Sequence, residues 1–368
     1  MIYPLVTIIV VTWNSRRHID GCLTTMLSQA YPNYHILVVD SCSDDGTSEH
    51  IRTNYPEVKV AELSCNLGYR RGNAYGMRRV KGKYAVVCND DVEVERSWLA
   101  EMVKVMEEDN RIGMVTPMIL LAEHKELVNS AGNTLHFSGM YGPRGKGEHK
   151  QQHETRRTLA AASGCCFMIR CDLMRRLGGF SADFDQLGVG WHASFEDVDL
   201  GWRAQLMGYR IEYVPTSIIY HQYKQPDLFP SRFGSYEWGR YLTICRNYSL
   251  TTLLMLVPLL LVLEVMAWIY AVIKGKVYVI AKARVMWWLI CHPHNIWIMR
   301  QRIQAIRTET DLAIMPFMSP TLDLYHRLGE GKIAKTINNA FEFASRPYYR
   351  VLLSILHVQQ FFLKMFKN

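Results

Sequence analysis

Carboxylates and amides follow two apolar runs in the first third of the sequence. Asp40 follows the run 34–39, and the acids of Asn89–Asp91 follow the run 84–88. The Asp40 carboxylate can accept a hydrogen bond from the imide N–H of a uracil- or thymine-type base. It can equally form part of a turn that caps the next helix. Two adjacent acids offer the hard oxygen ligands that Mg²⁺ or Mn²⁺ prefers, although such pairs are also common in ordinary loops.

A further acidic group opens a helical pattern behind a glycine-flanked loop that contains Trp191. The helix dipole favours acids in a first turn, and an i,i+4 pair between Asp199 and Arg203 gives those two residues a structural explanation. That explanation covers Glu196 and Asp197 less well. A carboxylate where a loop enters a pocket can deprotonate a hydroxyl nucleophile, so these two acids are candidates for general-base chemistry.

Three polar residues near the end of this region have an ordinary and a functional interpretation. His221 follows a short apolar strand, where a single histidine is more often hydrogen-bonded than bound to metal. Arg246 and Asn247 precede a long apolar stretch. They can extend to a membrane interface, or clamp a phosphate of a lipid-linked substrate, because a guanidinium matches phosphate geometry.

Apolar, β-branched runs alternate with helical patterns over the first 120 residues, which predicts an α/β fold with a mostly parallel sheet flanked by helices. In such sheets ligands bind beyond the C-terminal ends of the strands, which selects the polar segments 12–14, 40–47, 66–73 and 89–91. Neither a Gly-x-Gly-x-x-Gly sequence nor a P-loop motif occurs, which argues against dinucleotide-binding and P-loop enzymes. The Gly- and His-rich segment 128–158 is expected to form a hairpin or a mobile loop.

The composition fits a folded chain of one or two domains, with 49% hydrophobic and 21% charged residues among 368. The net charge of +8 is concentrated after residue 240, where 15 Lys and Arg face six Asp and Glu. This distribution argues against nucleic-acid binding and favours a basic region that meets an anionic surface such as a membrane. Nine cysteines without a Cys-x-x-Cys pair indicate reduced thiols in a cytosolic chain.

The apolar stretch 250–273 is about 36 Å long as a helix, enough to cross a bilayer. A single span would place the basic residues behind it outside, against the positive-inside rule. Pro258 can instead break the stretch into two pieces that enter and return. We expect a re-entrant or in-plane association, with helices such as 349–367 lying on an anionic leaflet.

The order of the motifs resembles that of the family 2 glycosyltransferases with a GT-A fold, most closely the rhamnosyltransferase-like members. The motifs are Val-Thr-Trp-Asn at 11–14, Asp40 with Asp-Asp-Gly-Thr at 44–47, Asn66 and Gly68 with Gly-Asn at 72–73, Asn-Asp-Asp at 89–91, Phe-Glu-Asp at 195–197, and His221. The likeness covers roughly residues 4–247. It implies a GT-A domain over 1–247, with a nucleotide-sugar half at 1–120 and an acceptor half at 121–247, followed by a helical membrane-associated region at 248–368.

The resemblance also implies a role for each matching residue. Donor binding would fall to Thr12, Asn14, Asp40 (on the base), Asn66, Gly68, Asn73 and Asp90. Asp91 and His221 would hold Mn²⁺ or Mg²⁺, Asp197 would be the catalytic base with Glu196 orienting it or the acceptor, and Trp191, Arg246 and Asn247 would meet the acceptor. The implied reaction inverts the anomeric carbon as a hexosyl-type sugar moves from a nucleotide diphosphate to a lipid-linked (polyprenyl-diphosphate type) or polysaccharide acceptor. It would occur at the cytoplasmic face of a membrane, in contact with membrane lipids.

Two departures from the family pattern stand out: Asn89 replaces an expected first acid, and Arg70 and Arg71 occupy positions that are usually small. Two other functions stay open. A sugar-nucleotidyltransferase shares the sheet but needs a Gly-rich first loop, which the sequence 14–17 does not provide. A catalytically silent nucleotide-binding membrane scaffold is disfavoured because the acidic positions are intact.

Overall fold

A computed structural model describes residues 3–187, 195–222, 229–321 and 332–365. The strands are β1 (Val6–Thr12), β2 (Tyr34–Asp40), β3 (Lys59–Glu62), β4 (Tyr84–Asn89), β5 (Val92–Val94), β6 (Ile112–Leu121), β7 (Val128–Ser130), β8 (Asn133–Leu135), β9 (Tyr141–Pro143), β10 (Arg157–Thr158), β11 (Cys166–Arg170) and β12 (Arg210–His221).

The helices alternate with the strands in the first half and dominate the second half. They are α1 (Ile19–Leu27), α2 (Thr47–Asn54), α3 (Gly68–Met77), α4 (Trp98–Glu108), α5 (Cys171–Leu177), α6 (Glu196–Leu206), α7 (Pro230–Asn247), α8 (Leu250–Lys274), α9 (Lys276–Cys291), α10 (Pro293–Ala305), α11 (Asp311–Ile314) and α12 (Lys332–Met365). Short 3₁₀ helices cover Lys150–His153, Ala182–Leu187 and Met315–Phe317.

Ten strands form one mixed sheet in the order β10-β12-β6-β11-β4-β1-β2-β3, with β5 on β12 and β7 on β6. The strands β4, β1, β2 and β3 are parallel, and β11 runs antiparallel between β4 and β6. The expected α/β sheet with helices on both faces, followed by a helical region, is therefore confirmed. The parallel register pairs Thr12 with Asp40 and Val11 with Asn89, which brings the ends of three strands to one edge.

Two apolar cores cover the faces of the sheet. On one face, α1 and α4 pack on alternate side chains of β1 and β4, such as Ile8 and Val86. On the other face, Ile9 and Val87 meet α3, α5 and α6. The central strands are buried on both sides, which explains why they are apolar without alternation.

A third core joins the C-terminal helices to the sheet-bearing part of the chain. Phe137 and Trp202 come from before residue 247, and Leu256, Val285 and Leu352 from after it. This core crosses the position at which the motif resemblance places a domain boundary.

Three local expectations can be compared with the structure. The segment 128–158 contains the hairpin of β8 and β9. The short strand expected before His221 is the end of the longer strand β12, which has a register shift between Val214 and Ile218. Pro258 lies inside the continuous helix α8, so the expectation that it breaks this stretch into two re-entrant pieces is wrong.

Candidate functional site

The edge where β1, β2 and β4 end carries the residues expected to bind the donor. Thr12 and Asp40 are buried neighbours on adjacent strands. Asn14, just beyond β1, adopts φ 54° and accepts a hydrogen bond from the amide of Asp44 through Oδ1 (3.0 Å). Its own amide donates to Ser43 Oγ (2.9 Å). The two loops that follow β1 and β2 are therefore joined into one rim.

Asp40 takes part in the turn after β2. Its Oδ2 accepts from the amide of Ser43 (3.0 Å) and its Oδ1 from the Ser43 hydroxyl (2.5 Å). These two hydrogen bonds form the turn that the sequence offered as the structural interpretation of Asp40. Each carboxylate oxygen has a second lone pair, so base binding by Asp40 stays a prediction.

The loop and helix after β3 bring Asn66, Gly68 and Asn73 to the same edge. Asn66 Oδ1 accepts from the amide of Gly68 (2.8 Å), whose φ of +66° suits glycine. Asn73 is fully buried and donates to the Tyr69 carbonyl (2.9 Å). A Cβ at Gly72 would lie 2.7 Å from Val11 Cγ1. Glycine at this position therefore lets α3 lie directly against β1.

The acids after β4 separate into two environments. Asp90 accepts from the Ser15 hydroxyl and lies 3.9 Å from His18 Nε2. Burial raises the pKa of Asp90, as does the adjacent charge of Asp91, against the hydrogen bond from Ser15. Asp90 thus anchors the loop after β1, whereas Asp91 contacts His221 at the end of β12.

Asp91 meets His221, as the resemblance implied: Oδ1 lies 3.1 Å from Nε2 of the imidazole. The Nδ1 of His221 faces Asn129 Oδ1 on β7 at 2.9 Å. An acceptor there holds a proton on Nδ1, so Nε2 is the nitrogen that faces Asp91. Nε2 donates to this carboxylate when protonated and could bind a metal ion once it has lost that proton.

Asp91 and His221 shift the pKa of one another in opposite directions. Burial would raise the pKa of Asp91, but the hydrogen bond and charge of His221 lower it. Burial would lower the pKa of His221, but Cys165 and Asp91 raise it to about 11. Among the described residues no group of three or more His, Cys, Asp or Glu converges. The pair fits a Mg²⁺ or Mn²⁺ ion that takes its remaining ligands from phosphate oxygens and water.

The segment before β11 connects this pair to Asp197. The Cys165 side chain hydrogen-bonds His221, and the preceding residue, Gly164, donates its amide to Asp197 Oδ2 (2.8 Å). A Cβ at Gly164 would lie 2.9 Å from that oxygen, so glycine is needed for the carboxylate to approach. Two consecutive residues thus contact Asp197 and His221, and His221 contacts Asp91. A common cleft for Asp40, Asp91, Asp197 and His221 stays a prediction.

Glu196 and Asp197 begin α6 directly after a strained residue. Phe195 has φ 83°, which is rare for a bulky side chain, and its ring is fully buried against Tyr141 and Tyr236. This packing holds the first turn of α6 in place. Strained backbone of this kind concentrates at functional sites.

The two acids differ in how fully their oxygens are bonded. Asp197 Oδ2 also accepts from Asn133 Nδ2 (3.0 Å), and Oδ1 accepts from the amide of Val198 (2.9 Å). Glu196 is 7% exposed, and its Oε2 has no hydrogen-bond partner within the described residues. Burial and the charge of Asp197 raise the pKa of Glu196 to about 8, and burial also raises the pKa of Asp197.

Two of the residues expected to contact the acceptor, Arg246 and Asn247, are buried inside the protein. Arg246 is fully buried and binds Asp183 and Asp199, both at 2.5 Å, and Asn247 is fully buried beside it. Because this guanidinium is already paired inside the protein, the structure argues against an acceptor contact for Arg246 and Asn247. Trp191 lies outside the described residues.

The structural interpretation of Asp199 and Arg203 is confirmed, and Arg70 and Arg71 also form ion pairs within the protein. Asp199 binds Arg203 at 2.8 Å, as the i,i+4 spacing predicted. Arg70 and Arg71, the residues at usually small positions, both bind Asp185.

Sequence reasoning missed three side chains of the site: Asn129, Asn133 and Cys165. Asn129 and Asn133 lie in the segment expected to be a hairpin or loop, and Cys165 was counted only as a buried thiol. No local pattern marks them, because β7 and β8 reach the site only through their packing with β6 and α6.

A family model described as Glycosyl transferase family 2 matches residues 7–178. The match covers just under half of the chain, from β1 to the end of α5, and supports the resemblance to this family. It includes Thr12, Asp40 and Asp91, whereas Asp197 and His221 lie beyond it.

Curated relatives align with about a third of the chain. An uncharacterized glycosyltransferase of Haemophilus influenzae is 26% identical over 33% of this chain and 39% of its own length. The putative teichuronic acid biosynthesis glycosyltransferase TuaG of Bacillus subtilis is 27% identical over 33% and 49%. Glycosyltransferase AglE of Haloferax volcanii is 29% identical over 28% and 36%. The aligned part thus spans less than half of each relative.

Solved structures resemble the chain only distantly. TarS 1-349 of S. aureus is 14% identical, with a TM-score of 0.49, over 94% of this chain and 91% of that one. The mannosyltransferase PcManGT of Pyrobaculum calidifontis, in complex with GDP-Man and Mn²⁺, is 18% identical, with a TM-score of 0.48, over 96% and 88%.

Proposed function

We propose that this protein is an inverting, metal-dependent glycosyltransferase of family 2. It transfers a sugar from a nucleotide diphosphate to a lipid-linked or polysaccharide acceptor. The observation that carries this proposal is the series of contacts that runs from Asp197 through Gly164 and Cys165 to His221 and Asp91. A base and a site for a cation then face one cleft, beside the strand ends where a nucleotide binds in α/β sheets.

The donor would lie along the ends of β1, β2 and β4. We assign the base to Asp40, the nucleotide rim to Thr12, Asn14 and Asp90, and the cover over ribose and diphosphate to Asn66, Gly68 and Asn73. The cover is supported by the close approach of α3 to β1 at Gly72. A cation bound by Asp91 and His221 neutralises charge on the leaving diphosphate.

Asp197 would take the proton from the acceptor hydroxyl as its oxygen attacks the anomeric carbon. Burial raises the pKa of Asp197, which brings the base closer to neutral pH. The free Oε2 of Glu196 is placed to receive and orient the hydroxyl. A single displacement with one base inverts the anomeric configuration.

The membrane part of the proposal rests on the apolar surface of the C-terminal helices. By length and composition α8 is the one described helix that could cross a bilayer, and little of it is buried. Leu254 and Ile273 of α8, Trp287 of α9 and Phe343 of α12 are among the most exposed apolar side chains. Such a surface marks a membrane or protein contact, and we assign it to the cytoplasmic leaflet.

We infer an in-plane position for α8 from a buried ion-pair network. Glu264 of α8 binds Lys282 of α9 (2.7 Å), which also binds Glu237 of α7 (2.5 Å). A helix tied in this way to two neighbours is part of the folded body. Protease treatment of sealed vesicles tests this: cleavage of the C-terminus only from the far side of the membrane would exclude the in-plane arrangement.

Calorimetric titration of the purified protein with UDP, GDP and dTDP, with and without Mn²⁺, tests the donor site. We expect Mn²⁺-dependent binding of at least one nucleotide. Asp91→Ala should lose the Mn²⁺-dependent part, because it removes one of two protein ligands, while Asp172→Ala, an exposed aspartate on α5, should keep it. Equal Mn²⁺-dependent affinity in Asp91→Ala would refute the metal site.

An active enzyme is distinguished from a silent scaffold by slow hydrolysis of the nucleotide sugar. Release of the nucleotide diphosphate that stops with EDTA is expected of the enzyme. Binding of the nucleotide without any turnover, across donors and with membranes as acceptor, would favour the scaffold.

A further inference from the structure

A second feature of the molecule is a cavity of about 1030 Å³ on the face of the sheet covered by α3. Its walls are α3, the end of α5, the segment 178–185 that follows, and α10. The volume lies at the upper end of the range for small-molecule sites, about 300–1,000 Å³.

Positive charge dominates the lining of this cavity. Its arginines are Arg70, Arg71, Arg78, Arg175, Arg176, Arg203 and Arg302, and its carboxylates are Asp183 and Asp185. Arg203 is buried and bound to Asp199, so it belongs to the frame of the protein. Without Arg203, the arginines of the lining still outnumber its two carboxylates.

Several of these guanidinium groups are available to a ligand. Arg78 and Arg175 are exposed, and within the described residues neither forms an ion pair with a carboxylate. Arg302 is 70% exposed and only approaches Asp183 (3.9 Å). Arginine matches phosphate and carboxylate through two parallel N–H donors, so the lining suits a ligand with several anionic groups.

One end of the cavity reaches the proposed active site. Arg70 binds Asp185 in the cavity wall, and its charge also acts on Glu196. From Arg70 to Arg78 the wall runs along α3 for about 12 Å, at roughly 1.5 Å per residue. This wall is longer than one sugar unit. It extends from Arg70 away from the proposed reacting groups.

The cavity approaches the proposed donor region at Leu67, but most of its lining lies away from the strand ends. Gly72 and Gly76 face β1 and β2, where added Cβ atoms would meet Val11 and Ile9. Arg70, Ala74 and Arg78 occupy the opposite side of α3, since residues four apart lie on one face of a helix. A nucleotide at the strand ends would therefore leave the arginines uncovered.

We propose that this cavity binds the anionic part of the acceptor, a glycan chain that carries phosphate or carboxylate groups, with Arg70 at the end nearest the reaction. This inference rests on the proposed glycosyltransferase function and specifies its acceptor. The chain would lie along α3 with its anionic groups against Arg78 and Arg175.

The test uses the full chain and a short linear inorganic polyphosphate as the probe, titrated by calorimetry. Arg78→Gln combined with Arg175→Gln should weaken polyphosphate binding at least about tenfold, because two charge-assisted contacts are lost. The matched control, Arg79→Gln with Lys104→Gln, removes the same charge from exposed positions outside the cavity and should bind polyphosphate like the wild type.

Two further measurements distinguish a glycan site from general charge attraction and from a lipid headgroup site. Equal losses in the two double variants would overturn the inference, because binding would then follow overall charge. The inference would also be overturned if Arg78→Gln/Arg175→Gln lost binding to phosphatidylglycerol vesicles while keeping polyphosphate affinity, which would identify a lipid headgroup site. Nucleotide and Mn²⁺ titration of the same variants should match the wild type. Absence of nucleotide binding in every protein, wild type included, would instead overturn the proposed function.

Discussion

Replacing Asp197 with asparagine removes the proposed base with little change of shape. Asp197 Oδ2 accepts from both Gly164 and Asn133, so the asparagine oxygen should take that position. Its amide nitrogen then faces the N–H of Val198, which loses one hydrogen bond, worth about 1 kcal/mol of unfolding free energy. The variant should therefore fold. Sugar transfer should fall by at least ~10², the low end for general-base catalysis.

The assay follows release of the nucleotide diphosphate in the presence of acceptor-containing membranes, alongside calorimetric donor binding. Donor affinity should stay within a few-fold of the wild type, since Asp197 does not contact the donor edge. Glu196→Gln is the matched comparison and should reduce transfer less, because glutamine can still orient a hydroxyl. Near-normal transfer by Asp197→Asn, or a much larger loss in Glu196→Gln, would refute the assignment of the base to Asp197.

Two further outcomes are expected. Asn129→Ala should weaken Mn²⁺-dependent nucleotide binding about 10–100-fold, because the acceptor that orients His221 is removed; unchanged affinity in the Mn²⁺ titration would disprove this role. Glu196 holds its proton up to about pH 8 when folded, against a usual pKa of 4.5. Its contribution to stability is complete below pH 4.5 and is lost as the pH rises through 8. The free energy of unfolding, measured with urea, should therefore fall less steeply between pH 4.5 and 8 for Glu196→Gln than for the wild type. An equal fall in the two proteins would contradict this prediction.

The sheet and the polar edge at which its strands end could be predicted because their signals are local. Parallel strands such as β1 and β4 are buried on both faces, so they read as unbroken apolar runs, and the polar residues Asp40 and Asp91 mark where the strands end. The pairing of Asp91 with His221 followed from the motif order alone. It required no knowledge of how the intervening chain folds.

Other parts of the site depend on contacts that no spacing encodes. Asn133 reaches Asp197 because β8 passes the start of α6, and Arg246 is buried because two carboxylates distant in sequence neutralise it. Pro258 did not break α8, since the surrounding leucines and the bond from Glu264 to Lys282 hold the helix together. Tertiary packing overrode a local signal in each case.

The ion-pair network of Glu237, Lys282 and Glu264 has a consequence for shortening the protein. A chain cut after residue 247 would remove Lys282 and Glu264 from this buried network and leave Glu237 paired with Arg240 alone among the described residues. It would also bare Phe137 and Trp202, which the later helices cover. Attempts to obtain a water-soluble enzyme should therefore keep these helices and replace their outward apolar side chains, such as Leu254 and Trp287, with polar ones.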